Sequence, residues 1–395
     1  MQADRKNVLL LAACQALIVT SNVVLISINS LAGHALAPNK ALATLPVTCF
    51  VLGGAVCTVP ASLLMHRLGR KRGFSLGAAV GIVSGVCCAA AAYLHSFALL
   101  CAGNVIFGVY SACAQYYRFA AADAASASFK HRAISLVLAG GIVGGVLGPE
   151  SSKLTKDALS APFLGSYASL IVFAALALLL VQGVQIPPLT EAERATTGRP
   201  LRAIMKQPVF IVAVLGAGVG ATVMNLLMTA TPLAMQMCHH EYSDSALVIE
   251  WHVIGMYAPA FVMGSLIQRF GVLQIMTCGV VMMLACVGIA LAGISVAHFW
   301  FALVLLGVGW SALYVGGTTL LTEAYVPSER AKTQGVNDFL IFASMALSSL
   351  SAGLLVTTRG WSVVNYASLP VILAAGVALT WLRVQRSRQA RAVAA

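Results

Sequence analysis

Apolar residues recur along this chain in long blocks separated by short polar stretches. An α-helix needs about 20 apolar residues to cross the roughly 30 Å hydrocarbon layer of a bilayer, and the blocks have that length. The first block, residues 8–31, is too long for the core of a signal peptide and predicts a retained helix. The pattern predicts twelve spanning helices, near residues 8–31, 45–65, 74–94, 98–118, 133–152, 163–186, 209–232, 246–267, 272–293, 298–321, 334–356 and 362–383.

Composition strengthens this interpretation. Hydrophobic residues make up 59% of the 395 positions and charged residues only 9%, whereas soluble domains carry about a quarter charged residues. A water-exposed surface cannot be built from this composition, so the surface has to face acyl chains. The sequence therefore predicts an all-α polytopic membrane protein.

The lysines and arginines are concentrated in the loops on one side of the predicted membrane. With the N-terminus in the cytoplasm, nearly all of the 24 lysines and arginines fall on the cytoplasmic side, and the exceptions are Lys40, Lys153, Lys156 and Arg359. This bias predicts that both termini are cytoplasmic. The formal net charge of +12 is thus a topology signal, with some attraction to anionic lipid, and does not predict nucleic-acid binding.

The chain divides into two related halves. The longest polar linker, PPLTEAERATTGRPLRAIMKQP, is bracketed by Pro187 and Pro208. We expect an N-terminal six-helix bundle over 1–187, a cytoplasmic linker over 188–207 and a C-terminal bundle over 208–395. The helix ends SLLMHRLGRKRG and GSLIQRFG align Arg67 with Arg269, and HRA at 131–133 aligns with ERA at 329–331. Both shifts are close to half the chain length, which indicates two parallel repeats.

On these residues the chain resembles the major facilitator superfamily, whose loop between helices 2 and 3 has the form G-x-x-x-D-R-x-G-R-K/R. The matching residues are Arg67, Gly69, Arg70 and Lys71 in the first copy and Gly264, Arg269 and Gly271 in the second. His66 and Gln268 stand at the two acidic positions. The resemblance implies a fold of two six-helix pseudo-repeats and a loop that latches the cytoplasmic gate through charge pairs.

Each copy of the motif therefore lacks the one acidic residue that the latch requires. Asp338 or Asp123 could supply a negative partner instead. The alternative is that the arginines only anchor the loop at lipid head groups.

Helix 5 contains AGGIVGGVLGPE, in which Gly140, Gly144 and Gly148 recur every four residues before Pro149. One face of this helix is therefore bare and permits close backbone approach. The run resembles the family's antiporter-associated G-x-x-x-G-P motif, which favours export slightly over ordinary helix packing.

Uncharged polar residues near mid-depth are the candidates for solute contact. They are Asn22, Asn104, Asn225, Trp310 and Tyr314. The resemblance implies that helices 1, 4, 7 and 10 line a central cavity, and these five lie on those helices. Aromatic faces with amides suit a neutral or weakly charged organic solute. The alternative role is interhelical hydrogen bonding.

Ionisable residues in or near the spans are the candidates for proton coupling. They are Glu250 and His252 in helix 8, Glu150 at the outer end of helix 5 and Asp338 at the inner end of helix 11. Glu250 and His252 point to different sides of a helix, and with Trp251 they are also compatible with an interfacial cluster. Arg118 is either a ligand for an anion or a side chain that reaches the interface beside Tyr116 and Tyr117.

The resemblance implies a secondary active transporter that carries a small organic solute by alternating access. No Walker loop is present, so we expect proton coupling, no cofactor and no bound metal. We expect a monomer in the bacterial inner membrane, with direction of transport open. The alternatives are a riboflavin-type vitamin importer and a drug or metabolite–proton antiporter. An intramembrane enzyme is disfavoured because the sequence has no nucleophile–base or metal-ligand motif.

Overall fold

The computed structural model describes residues 2–117, 120–121, 130–185, 198–326 and 329–394. Long helices dominate these residues, and we number them by the spans they match. They are α1 Gln2–Leu36, α2 Leu45–Leu68, α3 Arg70–Tyr93, α4 Phe97–Ala114, α5 Lys130–Thr155, α6 Leu164–Gln182, α7 Pro208–Met237, α8a Tyr242–Tyr257, α8b Ala260–Phe270, α9 Val272–Ala292, α10 Val296–Leu321, α11 Arg330–Arg359 and α12 Trp361–Ala394.

Each predicted span coincides with one of these helices, except that the span near 246–267 contains both α8a and α8b. By length and apolar composition, ten of the described helices qualify as membrane spans, or eleven when α8a and α8b count as one. The remaining long helix, α5, occupies the predicted span 133–152. Local signals explain several boundaries. Ser96 caps α4 by accepting a hydrogen bond from the Leu99 N–H, and Pro208 occupies the first turn of α7, where a missing N–H costs nothing.

The packing confirms two six-helix pseudo-repeats. In the first half α1 packs on α5, α2 on α4, and α3 on both α4 and α6. The second half repeats each pairing six helices later, with α7 on α11, α8a on α10, and α9 on α10 and α12. Gly69 and Gly271 occupy the matching α2–α3 and α8b–α9 turns with φ of 85° and 86°, a region that favours glycine.

The bare face predicted for α5 is present, and a second one lies beside it. A β-carbon added at Gly140, Gly144 or Gly148 would fall 2.4–2.6 Å from atoms of α1, so this face packs within the first half. Gly141 and Gly145 instead face α8a, across the boundary between the halves. The doubled glycines therefore let α5 approach two helices closely.

The span predicted near 246–267 is present as a broken helix. The chain breaks after Tyr257, and the two segments of helix 8 meet at a bend of 48°. Pro259 stands at the break, where its ring and its missing N–H prevent the helical hydrogen bond. The break positions the end of α8a beside the boundary between the halves.

The linker is partly described. Residues 186–197 lie outside the described part, and the rest contains a short helix, Leu201–Met205. Arg199 holds this segment to the start of α11 through a bidentate ion pair with Glu329, with Nε–Oε1 and Nη2–Oε2 distances of 2.8 Å. Lys332 also donates to the Arg199 carbonyl. The hydrogen bonds from Arg199 hold the pKa of Glu329 down at about 2.

Candidate functional site

A cavity of about 170 Å³ lies between the two halves. Both halves line it, through α1, α2 and α4 on one side and α7, α8a, α10 and α11 on the other. Four of the five residues expected to contact solute line this cavity, namely Asn22, Asn225, Trp310 and Tyr314. Most of the residues that the sequence suggested for solute contact therefore lie around one cavity.

An aromatic wall forms one side of the cavity. The rings of Trp310 and Tyr314 stack with centroids 4.8 Å apart and an interplanar angle of 14°, because the two residues lie one turn apart on α10. Tyr257, at the end of α8a, meets Trp310 edge-on at 6.3 Å. Flat π-faces of this kind bind planar, apolar ring systems. Tyr257 was not identified as a candidate from the sequence. The nearby Pro259, which predicts a helix break, was the signal that could have indicated it.

Amide groups supply the polar contacts. Asn225 donates both N–H hydrogens to α11, to the Met345 carbonyl at 2.8 Å and to Ser348 Oγ at 2.9 Å. The amide is therefore held in one orientation, with its oxygen left as an acceptor. On the opposite half, the buried Oδ1 of Asn22 has no hydrogen-bond partner within the described part of the chain. The cavity therefore combines a flat apolar face with a few fixed polar atoms, as small-molecule sites do.

Asn104 is placed elsewhere. It is fully buried within the first half, where its Oδ1 accepts from Asn29 Nδ2 at 2.6 Å and its Nδ2 donates to the Leu100 carbonyl at 2.9 Å. Tyr167 donates to Asn29 in turn. Asn104 is not among the cavity-lining residues. It forms an interhelical hydrogen-bond network, the alternative role considered for such residues.

The four candidates for proton coupling also lie in different places, one in the cavity and three outside it. Asp338 on α11 lines the cavity and accepts a hydrogen bond from Asn337 at 3.0 Å. Glu250, His252 and Glu150 do not line it. His252 is fully buried between α8a and α10, with Nδ1 2.7 Å from the Leu303 carbonyl, while Glu150 pairs with Lys153 at 2.6 Å. Among the four, only Asp338 shares a cavity with the solute candidates.

The gate-loop residues are described in part. The side chains of His66 and Arg67, together with Asp123 and Arg118, lie outside the described part of the structure. Arg70 begins α3, and Lys71 donates to the Gln182 carbonyl at 2.6 Å, which ties α3 to the end of α6 within the same half. In the second copy Gln268 is exposed and Arg269 stacks over Phe270 at 5.2 Å. The cytoplasmic latch stays a prediction.

The two halves are bonded together at the end of the bundle away from the chain termini. The Thr44 hydroxyl donates to the Ser349 carbonyl at 2.5 Å and accepts from the Gly353 N–H at 3.0 Å. Between α5 and α8a, Tyr242 donates to Ser152 Oγ at 2.7 Å. These contacts join the two halves at this end.

Comparison with known proteins gives a consistent result. The family model described as Major Facilitator Superfamily matches residues 9–249 and 241–395. Riboflavin transporter RfnT of Brucella anthropi is 40% identical over 373 residues, which cover 94% of each chain. The uncharacterized MFS-type transporter YdeG of Bacillus subtilis is 30% identical over 84% of this chain and 81% of its own.

Solved structures share the fold at low identity. A bacterial homolog of the human lysosomal transporter Spinster, in an inward-facing and occupied conformation, superposes with a TM-score of 0.72 at 16% identity. The match covers 96% of this chain and 97% of that one. The human organic anion transporter MFSD10 gives 0.68 at 14% identity, covering 95% and 99%.

Proposed function

The chain belongs to the Major Facilitator Superfamily and is a multi-pass membrane transporter of a small molecule, and on this premise we propose that it imports riboflavin or a closely related flat heterocycle by proton-coupled alternating access. The observation that carries the proposal is the cavity between the halves, with its stacked Trp310–Tyr314 wall and the amides of Asn22 and Asn225. The 40% identity to a riboflavin transporter over 94% of both chains supports the same solute class.

The cavity's position supports alternating access as the transport mechanism. Because both halves line it, a rocking motion of one half against the other would expose the solute to each side in turn. The hydrogen bonds at Thr44 and Tyr242 would have to break for the cavity to open at their end of the bundle. We infer that the termini are cytoplasmic and that the protein works as a monomer in the inner membrane.

Proton coupling is assigned to Asp338. A carboxyl group in the solute cavity can bind a proton and respond to the solute in the same cycle, and intramembrane carboxyls are typical proton carriers. Among the described cavity-lining residues Asp338 is the one with a carboxyl group. Glu250, His252 and Glu150 are therefore secondary candidates.

The test is riboflavin uptake into proteoliposomes that hold the purified protein, with an imposed pH gradient. We expect accumulation above the external concentration, which a protonophore abolishes. A Trp251→Phe variant serves as the matched control, because Trp251 lies outside the cavity and packs on Trp300. Folded protein that moves no riboflavin in either direction would refute the proposal.

Export is a second candidate, favoured by the resemblance of the α5 glycine run to the antiporter-associated motif. The same vesicles distinguish it when the gradient is reversed. Import by symport requires accumulation on the side opposite the acid compartment, whereas antiport accumulates solute in the acid compartment.

A further inference from the structure

The indole N–H of Trp310 is a buried donor that has no hydrogen-bond partner among the described residues. An indole N–H can only donate, and leaving it unpaired inside a protein is unfavourable, so native proteins seldom do it. The ring cannot easily turn to find a partner, because Tyr314 stacks on its face and Tyr257 contacts it edge-on. Since Trp310 lines the cavity, a bound solute is the group that could relieve this cost.

Asn225 offers the complementary group. Its two N–H hydrogens are both committed to α11, so it can only accept a hydrogen bond from a solute. Its amide oxygen accepts from no described residue, and the residue lines the same cavity. The second half therefore presents one pure donor and one pure acceptor toward the solute.

Resting on the proposed function, we propose that Trp310 and Asn225 select heterocycles that carry a carbonyl oxygen next to an N–H group. The solute carbonyl accepts from the Trp310 indole, and the solute N–H donates to Asn225 Oδ1. The imide edge of riboflavin, in which N3–H lies between two carbonyl groups, has this arrangement. A site built to hydrogen-bond an N–H rejects an analogue without it, because its own acceptor is left unpaired.

Asn22 adds a contact from the other half. Its unpartnered Oδ1 accepts a further donor, such as a hydroxyl group on a flexible side chain of the solute. A solute held by Trp310 and Asn225 on one side and by Asn22 on the other bridges the two halves.

The test measures binding rather than transport, by quenching of flavin fluorescence with the purified full-length protein. Riboflavin is compared with 3-methylriboflavin, in which a methyl group replaces the N3 hydrogen. We expect the wild type to bind the methyl analogue roughly tenfold more weakly, the size of effect that one lost neutral hydrogen bond produces. The Asn225→Ala variant should bind both compounds with equal affinity, because the acceptor is gone.

The Trp310→Phe variant removes the N–H and keeps an aromatic ring on Tyr314. We expect its riboflavin affinity to fall about 3- to 10-fold, while Trp251→Phe leaves it unchanged. Equal wild-type affinities for the two flavins, or an unchanged affinity in Trp310→Phe, would overturn the inference and leave the proposed function intact. A methyl penalty that persists in Asn225→Ala would overturn the role of Asn225. If the wild type binds no riboflavin, the proposed function fails and the inference fails with it.

Discussion

Gly141 of α5 lies directly against the ring of Tyr257 at the end of α8a. A β-carbon added at Gly141 would fall 2.9 Å from both Cγ and Cδ1 of that ring, closer than real β-carbons approach other atoms. Tyr257 meets Trp310 in turn. Packing between the two halves therefore fixes the position of the aromatic wall, although Gly141 does not line the cavity.

We expect Gly141→Ala to weaken riboflavin binding about tenfold, because the added methyl group displaces Tyr257 and with it the edge contact on Trp310. Overpacking of this kind typically costs about 1–3 kcal/mol. The measurement is the dissociation constant from flavin fluorescence. Gly288→Ala in α9 is the control, since nothing lies within 4 Å of its new β-carbon. Equal affinities in the two variants would show that Tyr257 does not transmit the change.

The second prediction concerns the end of the bundle at which Thr44 joins the two halves. A β-carbon at Gly353 would fall 2.3 Å from Thr44 Oγ1, the atom that bonds α11 to the start of α2. We expect Gly353→Ala to break the two hydrogen bonds of the Thr44 hydroxyl and to loosen the contact between the halves at this end. Hydrogen–deuterium exchange should rise over 40–48 and 349–357.

Gly335→Ala is the matched control for this experiment, on the same helix but with open space around the new β-carbon. Its exchange should equal that of the wild type. If Gly353→Ala exchanges no faster than Gly335→Ala, the Thr44 contacts do not hold the halves together.

The sequence predicted where the helices lie better than it predicted which side of each helix faces the cavity. Twelve apolar blocks and the repeated Gly69 and Gly271 turns indicated the fold, because span length and positive-φ glycines leave strong local signals. Asn104 and Asn225 gave identical signals, an amide near mid-depth, yet one lies inside the first half and the other lines the cavity. In a membrane protein the lipid-facing and core-facing sides are equally apolar, so the pattern cannot distinguish which side a residue is on.

The third prediction follows from the Arg199–Glu329 ion pair. Glu329 is 1% exposed and its pKa lies at about 2, below the ordinary value of 4.5. A carboxyl whose pKa is depressed by folding contributes stability above pH 4.5 and loses it as the pH falls toward 2. Docking of the 198–207 segment should therefore not change between pH 5 and 8.

Glu329→Gln should release this segment at neutral pH, because the charge that binds Arg199 is removed while the volume is kept. Limited proteolysis after Arg199 and Arg202 measures the release. Glu323→Gln is the control, since Glu323 pairs with Arg386 of α12 and bonds to none of the described linker residues. Equal cleavage of both variants would contradict the clamp.

The last prediction separates the proton carrier from the other acids. Asp338 lines the solute cavity, whereas Glu250 and Glu150 do not. Asp338→Asn should abolish riboflavin accumulation driven by a pH gradient, because the amide binds no proton. It should keep solute exchange in counterflow within about threefold, since an amide can still make one neutral hydrogen bond.

Glu250→Gln and Glu150→Gln should retain gradient-driven accumulation in the same vesicles. Glu150 pairs with Lys153 at 2.6 Å, so its loss changes an ion pair that is partly exposed and worth little. If Glu250→Gln loses accumulation while Asp338→Asn keeps it, the proton is carried at Glu250 on α8a and not beside the solute. Since counterflow needs no net proton movement, a variant that loses both activities has lost solute binding, which the flavin titration detects directly.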